Sequence, residues 1–151
     1  SGIIKSYSSK LGYVGATPLI INSTLKENLT YGIEEEVSEK KIKEMLDLFN
    51  LFNEKKMNLE KKVSNKSLSM GQMQKIAFIR ALLSGVEILV LDESTANLDE
   101  DSKILIFNIL HKTDVTIINS THNRYDFKNV DLHLELNITN KGQREILISS
   151  S

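Results

Sequence analysis

Five residues at the start of an apolar helix have the chemistry to bind an anion. Within Leu68-Ser69-Met70-Gly71-Gln72, Ser69 and Gln72 have the S-x-x-Q spacing of a capping box, in which each side chain bonds the backbone N–H of the other residue. A helix end of this kind also carries partial positive charge and free N–H donors, and Gly71 allows close approach. Two interpretations are open: the residues only begin the helix, or they also hold an anion.

A pair of acids, Asp92 and Glu93, directly follows the apolar run Ile88-Leu89-Val90-Leu91. Because the run does not alternate, it predicts a strand in a parallel sheet that is flanked by helices. Ligands of such sheets bind beyond the carboxyl ends of the strands. Asp92 suits Mg²⁺ coordination through water, and Glu93 suits orienting or deprotonating an attacking water. The alternative is that both acids only cap the next turn.

A second apolar run, Val115–Ile118, ends in Ser120-Thr121-His122. If the two predicted strands are neighbours, His122 lies along the same sheet edge as Glu93, where a catalytic role competes with a purely structural one. We assign no catalytic role to His111, and we expect His133 to lie on a solvated strand edge and not to bind a metal.

Composition excludes several classes of protein. A chain of 151 residues with 40% apolar and 26% charged residues suits one soluble globular domain. The net charge of −1 argues against nucleic-acid binding, and zero cysteines exclude a disulfide framework and a thiol nucleophile. The absence of cysteine fits a reducing compartment.

The elements predicted in the first half of the chain include two helices with recognisable starts. The sequence Thr24-Leu25-Lys26-Glu27 predicts a capping box and a short helix that ends at Gly32. Ser38 is the predicted N-cap of an amphipathic helix whose apolar residues recur at helical spacing up to Phe49. Residues 53–66 are lysine-rich and weakly periodic, which predicts a surface linker or a frayed helix.

Further elements are predicted before residue 24 and after residue 66. They are strands at Ile3–Tyr7 and Lys10–Val14, helices at Gly71–Leu83 and near Asp101–His111, and an antiparallel hairpin of Asp131–Leu136 with Arg144–Ile148, joined through Asn140–Gly142, with one solvated face that carries His133 and Glu135.

The order of these motifs resembles the C-terminal part of an ATP-binding cassette (ABC) nucleotide-binding domain. The signature motif LSGGQ of that family corresponds to Leu68–Gln72, the Walker B acids to Asp92 and Glu93, the D-loop to Ser94–Asp99, and the switch histidine to His122. Upstream, "YVGATP" and "TLKENL" look like the Q-loop region. The phrasing is closest in style to multidrug-resistance-type exporters.

The resemblance implies a fold. It is α/β: a P-loop NTPase-like (RecA-like) parallel sheet flanked by helices, with a small α-helical subdomain and a C-terminal antiparallel hairpin. Residues 1–151 would form a partial nucleotide-binding domain, with about 23–70 as the helical subdomain and 1–22 and 71–151 as the α/β core. We expect the domain to be truncated at its N-terminus.

Three departures from the family pattern are visible. Ala16 stands at the position of the Q-loop glutamine, and Met70 stands at the first signature glycine. A G-x-x-x-x-G-K-[ST] loop, the Walker A motif that cradles phosphates, does not occur in these 151 residues. We expect truncation, since the family places that loop upstream of the Q-loop.

The resemblance also implies ligands, roles and partners. ATP and Mg²⁺ would be the ligands, with Asp92 serving the metal and Glu93 and His122 as catalytic residues. Ser69, Gly71 and Gln72 would bind nucleotide held by a second, head-to-tail nucleotide-binding domain, and Asp99 would bridge that interface. Transmembrane domains of the same transporter would be the other partner, which places this domain on the cytoplasmic side of a membrane.

Two alternatives remain from the sequence: a non-hydrolysing regulatory ATP-binding module, and a soluble ABC-type ATPase that is not involved in transport. Ala16 and Met70 favour the first, whereas Glu93 opposes it. No basic tract or long coiled coil supports the second. Without Walker A, we expect the isolated chain to be inactive and to self-associate through exposed apolar surface.

Overall fold

The computed structural model describes residues 10–52, 58–122, 130–138 and 144–150. The predicted strand Ile3–Tyr7 and the predicted turn Asn140–Gly142 lie outside the described residues.

The described chain contains strands and helices in mixed order. The strands are β1 Leu11–Gly15, β2 Ser23–Thr24, β3 Lys62–Val63, β4 Ile88–Asp92, β5 Thr116–Ser120, β6 Leu132–Ile138 and β7 Arg144–Ser150. The helices are α1 Leu25–Thr30, α2 Glu39–Leu48, α3 Met70–Leu83 and α4 Glu100–Leu110.

A parallel sheet of order β1-β4-β5 forms the centre of the fold. The register aligns Val14 with Leu91 and Leu91 with Asn119, so the three strands run together to a common carboxyl edge. Strand β4, predicted from its apolar run, is the middle strand, and α4 connects it to β5. The parallel α/β core is therefore confirmed.

Helix α3 lies between the sheet and the smaller helices, because it contacts β1 on one side and α1 and α2 on the other. Its side chains are buried on several faces, among them Met73, Phe78 and Ile79. A helix that is apolar almost all round is the expected solution for a position enclosed by neighbours. The fold thus holds the Ser69 end of α3 on a rigid, packed helix.

The predicted N-caps of α1 and α2 are confirmed. Thr24 and Glu27 form a complete capping box at α1, and the Ser38 hydroxyl accepts from Lys41 N at α2. After α1 the chain turns at Gly32, whose φ of +79° is accessible to glycine and strained for other residues. These local signals predict the helix ends because capping depends on residues only a few positions apart.

The prediction for residues 53–66, of which 53–57 lie outside the described residues, is wrong in part. Lys62–Val63 forms β3, which pairs antiparallel with β2, and Leu59 and Val63 are buried. The partner strand lies far upstream in sequence, so no local pattern announces the pairing. The stretch 23–70 therefore contains a small two-stranded sheet as well as α1 and α2.

The antiparallel pairing of β6 with β7 is confirmed. The exposure of its faces differs from the expectation: His133 and Glu135 are half-buried, while Leu136 on the other face is 76% exposed. Within the described residues, no element covers that apolar row.

The central sheet also has unequal faces. Leu89 and Leu91 are fully buried in the same core as Phe78 and Ile106. On the opposite face, Tyr13 of β1 and Ile118 of β5 are 62% and 56% exposed. Expected coverage of both faces is thus seen on one face of the described structure. None of the described helices is long and apolar enough to cross a membrane.

We predict that Phe78→Ala lowers the free energy of unfolding by about 3–5 kcal/mol, because it removes a fully buried ring from the core around α3. Urea denaturation of both proteins measures the difference. Ile104→Ala, at a side chain that is 56% exposed, is the control and should change stability by less than about 0.5 kcal/mol. Equal effects of both substitutions would show that α3 is not the centre of the core.

Candidate functional site

The carboxyl edge of the central sheet brings three polar segments together. Gly15 pairs with Asp92, and Asp92 pairs with Ser120, so the residues that follow each strand leave the sheet side by side. These residues include Ala16 after β1, Glu93 after β4 and His122 after β5. The sequence prediction that Glu93 and His122 share one edge is confirmed by this register.

Asp92 ends β4 with its side chain exposed to solvent. The hydroxyl of Tyr13, on the neighbouring strand, donates to Asp92 Oδ2 at 3.1 Å. This hydrogen bond to the protonated phenol raises the pKa of Tyr13, with smaller contributions from burial and from the charge of Asp92. Tyr13 therefore fixes the orientation of the carboxylate at the mouth of the site.

Glu93 adopts a left-handed backbone conformation, with φ of +51°. This conformation is uncommon for a residue with a side chain and is found most often where a tight turn or a functional site requires it. The Glu93 N–H donates to Ser120 O at 3.0 Å, which anchors the turn to β5. The strained residue is thus tied to β5 at the sheet edge.

Glu93 and His122 form a pair across the gap between β4 and β5. Nε2 of His122 lies 3.5 Å from Oε1 of Glu93. The His122 side chain is 98% exposed and that of Glu93 is 31% exposed, so both can be reached from outside. A carboxylate beside an accessible imidazole can accept and pass a proton, which is the chemistry of general base catalysis.

The loop from Ser94 to Asp99, which directly follows Glu93, is packed into the protein. Ser94 and Thr95 are 2% and 3% exposed, and Leu98 is buried with them. The turn is closed by Ala96 N donating to Glu93 O at 3.2 Å and by Leu98 N donating to Thr95 O at 3.1 Å. The position of Glu93 is therefore supported by an ordered loop.

Asp99 begins α4 as its N-cap. Its Oδ1 accepts from the N–H of Ser102 at 2.8 Å, and its Oδ2 accepts from the Ser102 hydroxyl at 3.2 Å. The backbone N–H bond is the main reason that the pKa of Asp99 lies below its usual value. A bridging role for Asp99 at a domain interface stays a prediction, beside this observed capping role.

The start of α3 has the predicted capping box. Gln72 N donates to Ser69 Oγ at 3.2 Å, and Ser69 N donates to Gln72 Oε1 at 2.9 Å. In the described structure the N–H groups of Met70 and Gly71 are left without an acceptor by this box, as expected in a first helical turn. Gln72 is engaged in the cap through its Oε1, so a role in binding nucleotide stays a prediction.

Gly71 has open space where a side chain would stand. A Cβ atom there would meet only Leu98 Cδ2, at 3.8 Å, which is ordinary contact. Packing inside this chain therefore does not require glycine, whereas an external ligand close to the helix end would. Met70, beside it, is 42% exposed. The N–H groups of this helix end are open to an anion that approaches from outside the chain.

Within the described residues, the structure brings Asp92, Glu93 and His122 to one edge but joins neither Ser69 nor Gly71 to them by a hydrogen bond or an ion pair. The α3 tip contacts the site only indirectly, alongside Leu98. The arrangement is that of two partial sites rather than one closed pocket.

Three residues of this region were missed from the sequence: Tyr13, Gln74 and Asn97. Gln74 Nε2 donates to Gly15 O at 3.0 Å, and Asn97 Nδ2 donates to Ala16 O at 3.2 Å. Gln74 had one available signal, since it is a polar residue within an apolar helix. The contacts of Tyr13 and Asn97 depend on strand pairing and had none.

A groove of about 350 Å³ opens beside the segment after β1. It is lined mainly by apolar groups, among them Pro18, Leu19 and Tyr31, with Arg80 as its cation. Arg80 donates to Asn28 O at 2.7 Å and to Leu19 O at 2.9 Å, and its guanidinium lies 5.7 Å from the centre of the Tyr31 ring. The groove is therefore held in shape by α3.

The donor set near Asp92 fits Mg²⁺ better than a metal that requires a full protein cage. No cluster of three or more His, Asp or Glu side chains suited to a metal is present in the described ranges. Mg²⁺ commonly keeps several waters and binds one or two carboxylates together with substrate phosphates. The exposed carboxylate of Asp92 suits this mode.

Comparisons with known proteins give a consistent picture. The family model described as "ABC transporter" matches residues 2–96. The chain is 36% identical over 124 residues to the sublancin-168-processing and transport ATP-binding protein SunT of Bacillus subtilis, covering 78% of this chain and 17% of that protein. It is 34% identical over 108 residues to a multidrug resistance ABC transporter ATP-binding and permease protein of Lactococcus lactis, covering 68% of this chain and 18% of that protein.

A solved structure shares the fold. The ATP-bound structure of a bacterial Atm1-family ABC exporter matches with a TM-score of 0.73 and 22% identity, covering 83% of this chain and 23% of that one. The chain therefore spans less than a quarter of the length of these similar proteins.

We predict that Asp99→Asn lowers the Tm at neutral pH, and that the difference from wild type narrows as the pH falls. Because the folded-state pKa of Asp99 is lowered, the charged cap stabilises the fold above the ordinary carboxyl pKa of about 3.9, and this contribution disappears as the pH falls through the lowered value. Thermal unfolding followed by circular dichroism between neutral and strongly acidic pH measures the difference.

The control for this prediction is Asp114→Asn, which changes an exposed carboxyl outside the helices. It should produce no comparable pH-dependent difference. A difference between wild type and Asp99→Asn that stays constant across the whole pH range would contradict the capping account.

Proposed function

This chain belongs to the ABC transporter family, and we propose that it is part of the ATP-hydrolysing motor of an exporter. As an ATP-binding domain of exporter type, it would convert ATP binding and hydrolysis into movement of attached membrane domains. The observation that carries the proposal is the Glu93–His122 pair, 3.5 Å apart, beside Asp92 at the carboxyl edge of the sheet.

Glu93 is the group proposed to act on water. Its carboxylate is accessible and its backbone is held by Ser120 O, so it can orient a water molecule and accept a proton on Oε1. The Nε2 of His122 lies beside that oxygen and would contact the γ-phosphate of ATP in the closed state. Loss of the γ-phosphate would then remove the contact that holds His122 in place.

Asp92 would hold Mg²⁺ through its exposed carboxylate, aided by the Tyr13 hydroxyl that orients it. When bound, the ion neutralises charge on the phosphate oxygens during transfer. The side chain of Ala16 cannot serve as a second oxygen ligand, which leaves the carboxylate of Asp92 as the protein group proposed to bind the ion.

A second nucleotide-binding domain is the first proposed partner. Ser69 and Gly71 stand at an accessible helix end that does not close onto Asp92 or Glu93 of its own chain. We infer that this end binds the γ-phosphate of ATP held by the opposite domain, in a head-to-tail pair. ATP would then stabilise the closed pair and hydrolysis would release it, which shifts the membrane domains between two states.

The membrane domains are the second proposed partner, and the groove beside Tyr31 is where we expect them to contact this chain. The groove is apolar, carries the Arg80 cation, and is lined by the segment that follows β1 towards the catalytic edge. A short amphipathic segment on the cytoplasmic side of the membrane has the chemistry to occupy it. This domain would therefore be attached to a membrane through its partner.

Exposed apolar side chains such as Tyr13 and Leu136 also support our expectation that the isolated chain self-associates.

A regulatory, non-hydrolysing module is the competing function. Ala16 and Met70 favour it, since both replace residues that the family pattern uses near the phosphates. The position and partners of Glu93 favour hydrolysis, since a module without turnover has no need to hold this carboxylate beside an imidazole. A soluble role outside transport has no comparable support, and similar proteins include a permease and a transport protein by name.

We predict that Glu93→Gln in the intact protein reduces the kcat for ATP hydrolysis by about 100-fold or more while ATP binding is retained, because the amide cannot accept the proton. Phosphate release and nucleotide binding measure the two properties. Glu100→Gln is the matched control, since Glu100 is also an exposed acid after β4 and its side chain is 81% exposed.

Residues 1–151 alone, without the glycine-rich lysine loop, are expected to show no turnover. Unchanged turnover in Glu93→Gln would contradict the role proposed for Glu93, whereas no turnover in the intact parent would support the regulatory function.

A further inference from the structure

The segment that follows β1 is held through its backbone rather than through its side chains. Three carbonyl oxygens, one at the end of β1 and two in that segment, accept hydrogen bonds from distant side chains: Gly15 O from Gln74 Nε2, Ala16 O from Asn97 Nδ2 and Leu19 O from Arg80. Because all three acceptors are main-chain oxygens, these bonds do not depend on the side chain at position 16. Ala16 is thus compatible with a tightly held segment.

The donors come from the two parts of the proposed site. Gln74 lies on α3, one turn after the Ser69–Gly71 tip, and Asn97 lies in the loop that follows Glu93. Asn97 is 81 residues from Ala16 in sequence, so its bond joins two segments that no local interaction connects. Gly15 and Ala16 therefore lie between the helix that carries the tip and the loop that carries Glu93.

Gln74 is a poor choice for stability alone. It is 0% exposed, and its Oε1 is buried without a hydrogen-bond partner in the described part of the chain. An unpaired buried acceptor costs about as much as one hydrogen bond contributes, so the bond to Gly15 O gives little net stabilisation. Methionine, of similar length, would fill the same space without a buried amide. We therefore infer that Gln74 serves to fix the position of the Gly15 backbone rather than to stabilise the fold.

We propose that Gln74 and Asn97 are positioning residues for ATP hydrolysis. They hold the Gly15–Ala16 backbone so that three parts move as one body: the segment Ala16–Leu19 beside the groove, the α3 tip (Ser69–Gly71) and the loop Glu93–Asp99. This inference rests on the proposed function for its catalytic consequence. Movement at Leu19 in the groove would reach the Glu93 loop through Ala16 and Asn97. It would reach α3 through Gly15 and Gln74.

Hydrogen–deuterium exchange without nucleotide tests the mechanical part of the proposal. In the intact protein, Asn97→Ala should increase exchange in peptides that cover 13–19 as well as in those that cover 93–99, although these are distant in sequence. Asn108→Ala, at an exposed asparagine of α4, should change neither. An increase confined to 93–99 in Asn97→Ala would overturn the proposal whether or not the protein hydrolyses ATP.

Kinetics test the catalytic part. Gln74→Met and Asn97→Ala should each lower kcat by about fivefold or more, with KM for ATP changed by less than about twofold, because the residues position the reacting group and do not bind substrate. Gln74→Met should leave the Tm unchanged or raised, which separates a positioning role from a structural one. A Gln74→Met protein with wild-type kcat would contradict the proposal, as would one whose kcat loss is matched by a lower Tm. An intact parent without ATPase activity would instead overturn the proposed function, with the exchange experiment still deciding the mechanical part.

Discussion

The parallel pairing of β1, β4 and β5 is the constraint on which the site depends. The register aligns Gly15, Asp92 and Ser120 in one row, and each of the three strands ends at that row. Because parallel strands end together, one shared edge places Ala16, Glu93 and His122 as neighbours although they come from three separate parts of the sequence. A shift of one residue in the register of β4 would move the side chain of Asp92 to the other face of the sheet. It would also separate Glu93 from His122.

Helix α3 extends this constraint beyond the sheet edge. Its buried surface packs on β1 and on the smaller helices, its N-terminal end presents Ser69 and Gly71, and its Arg80 holds the groove. One rigid helix therefore links a candidate phosphate-binding tip to a candidate partner groove. The strained φ of Glu93 adds a second fixed point, since the turn that it forms is held by Ser120 O.

Local signals allowed much of this fold to be predicted from the sequence. The capping residues Thr24, Ser38 and Ser69 mark helix starts because a cap is built from residues within one turn. The apolar run before Asp92 predicts a buried parallel strand because this signal is also carried by adjacent residues. The β2–β3 pairing, the bond from Asn97 to Ala16 and the left-handed backbone of Glu93 are properties of tertiary contact. No nearby pattern encodes them, and glutamate is a residue that ordinarily avoids positive φ.

The central claim is that the α3 tip and the acidic edge are halves of two sites, each completed by a second domain. A cryo-electron microscopy structure of the intact protein with Mg²⁺ and a non-hydrolysable ATP analogue tests it most directly. The account predicts a γ-phosphate within hydrogen-bond distance of Ser69 Oγ and Gly71 N of one domain, and next to Asp92 and Glu93 of the other. A nucleotide bound entirely within one domain, with the Ser69 tip turned away from every phosphate, would contradict it.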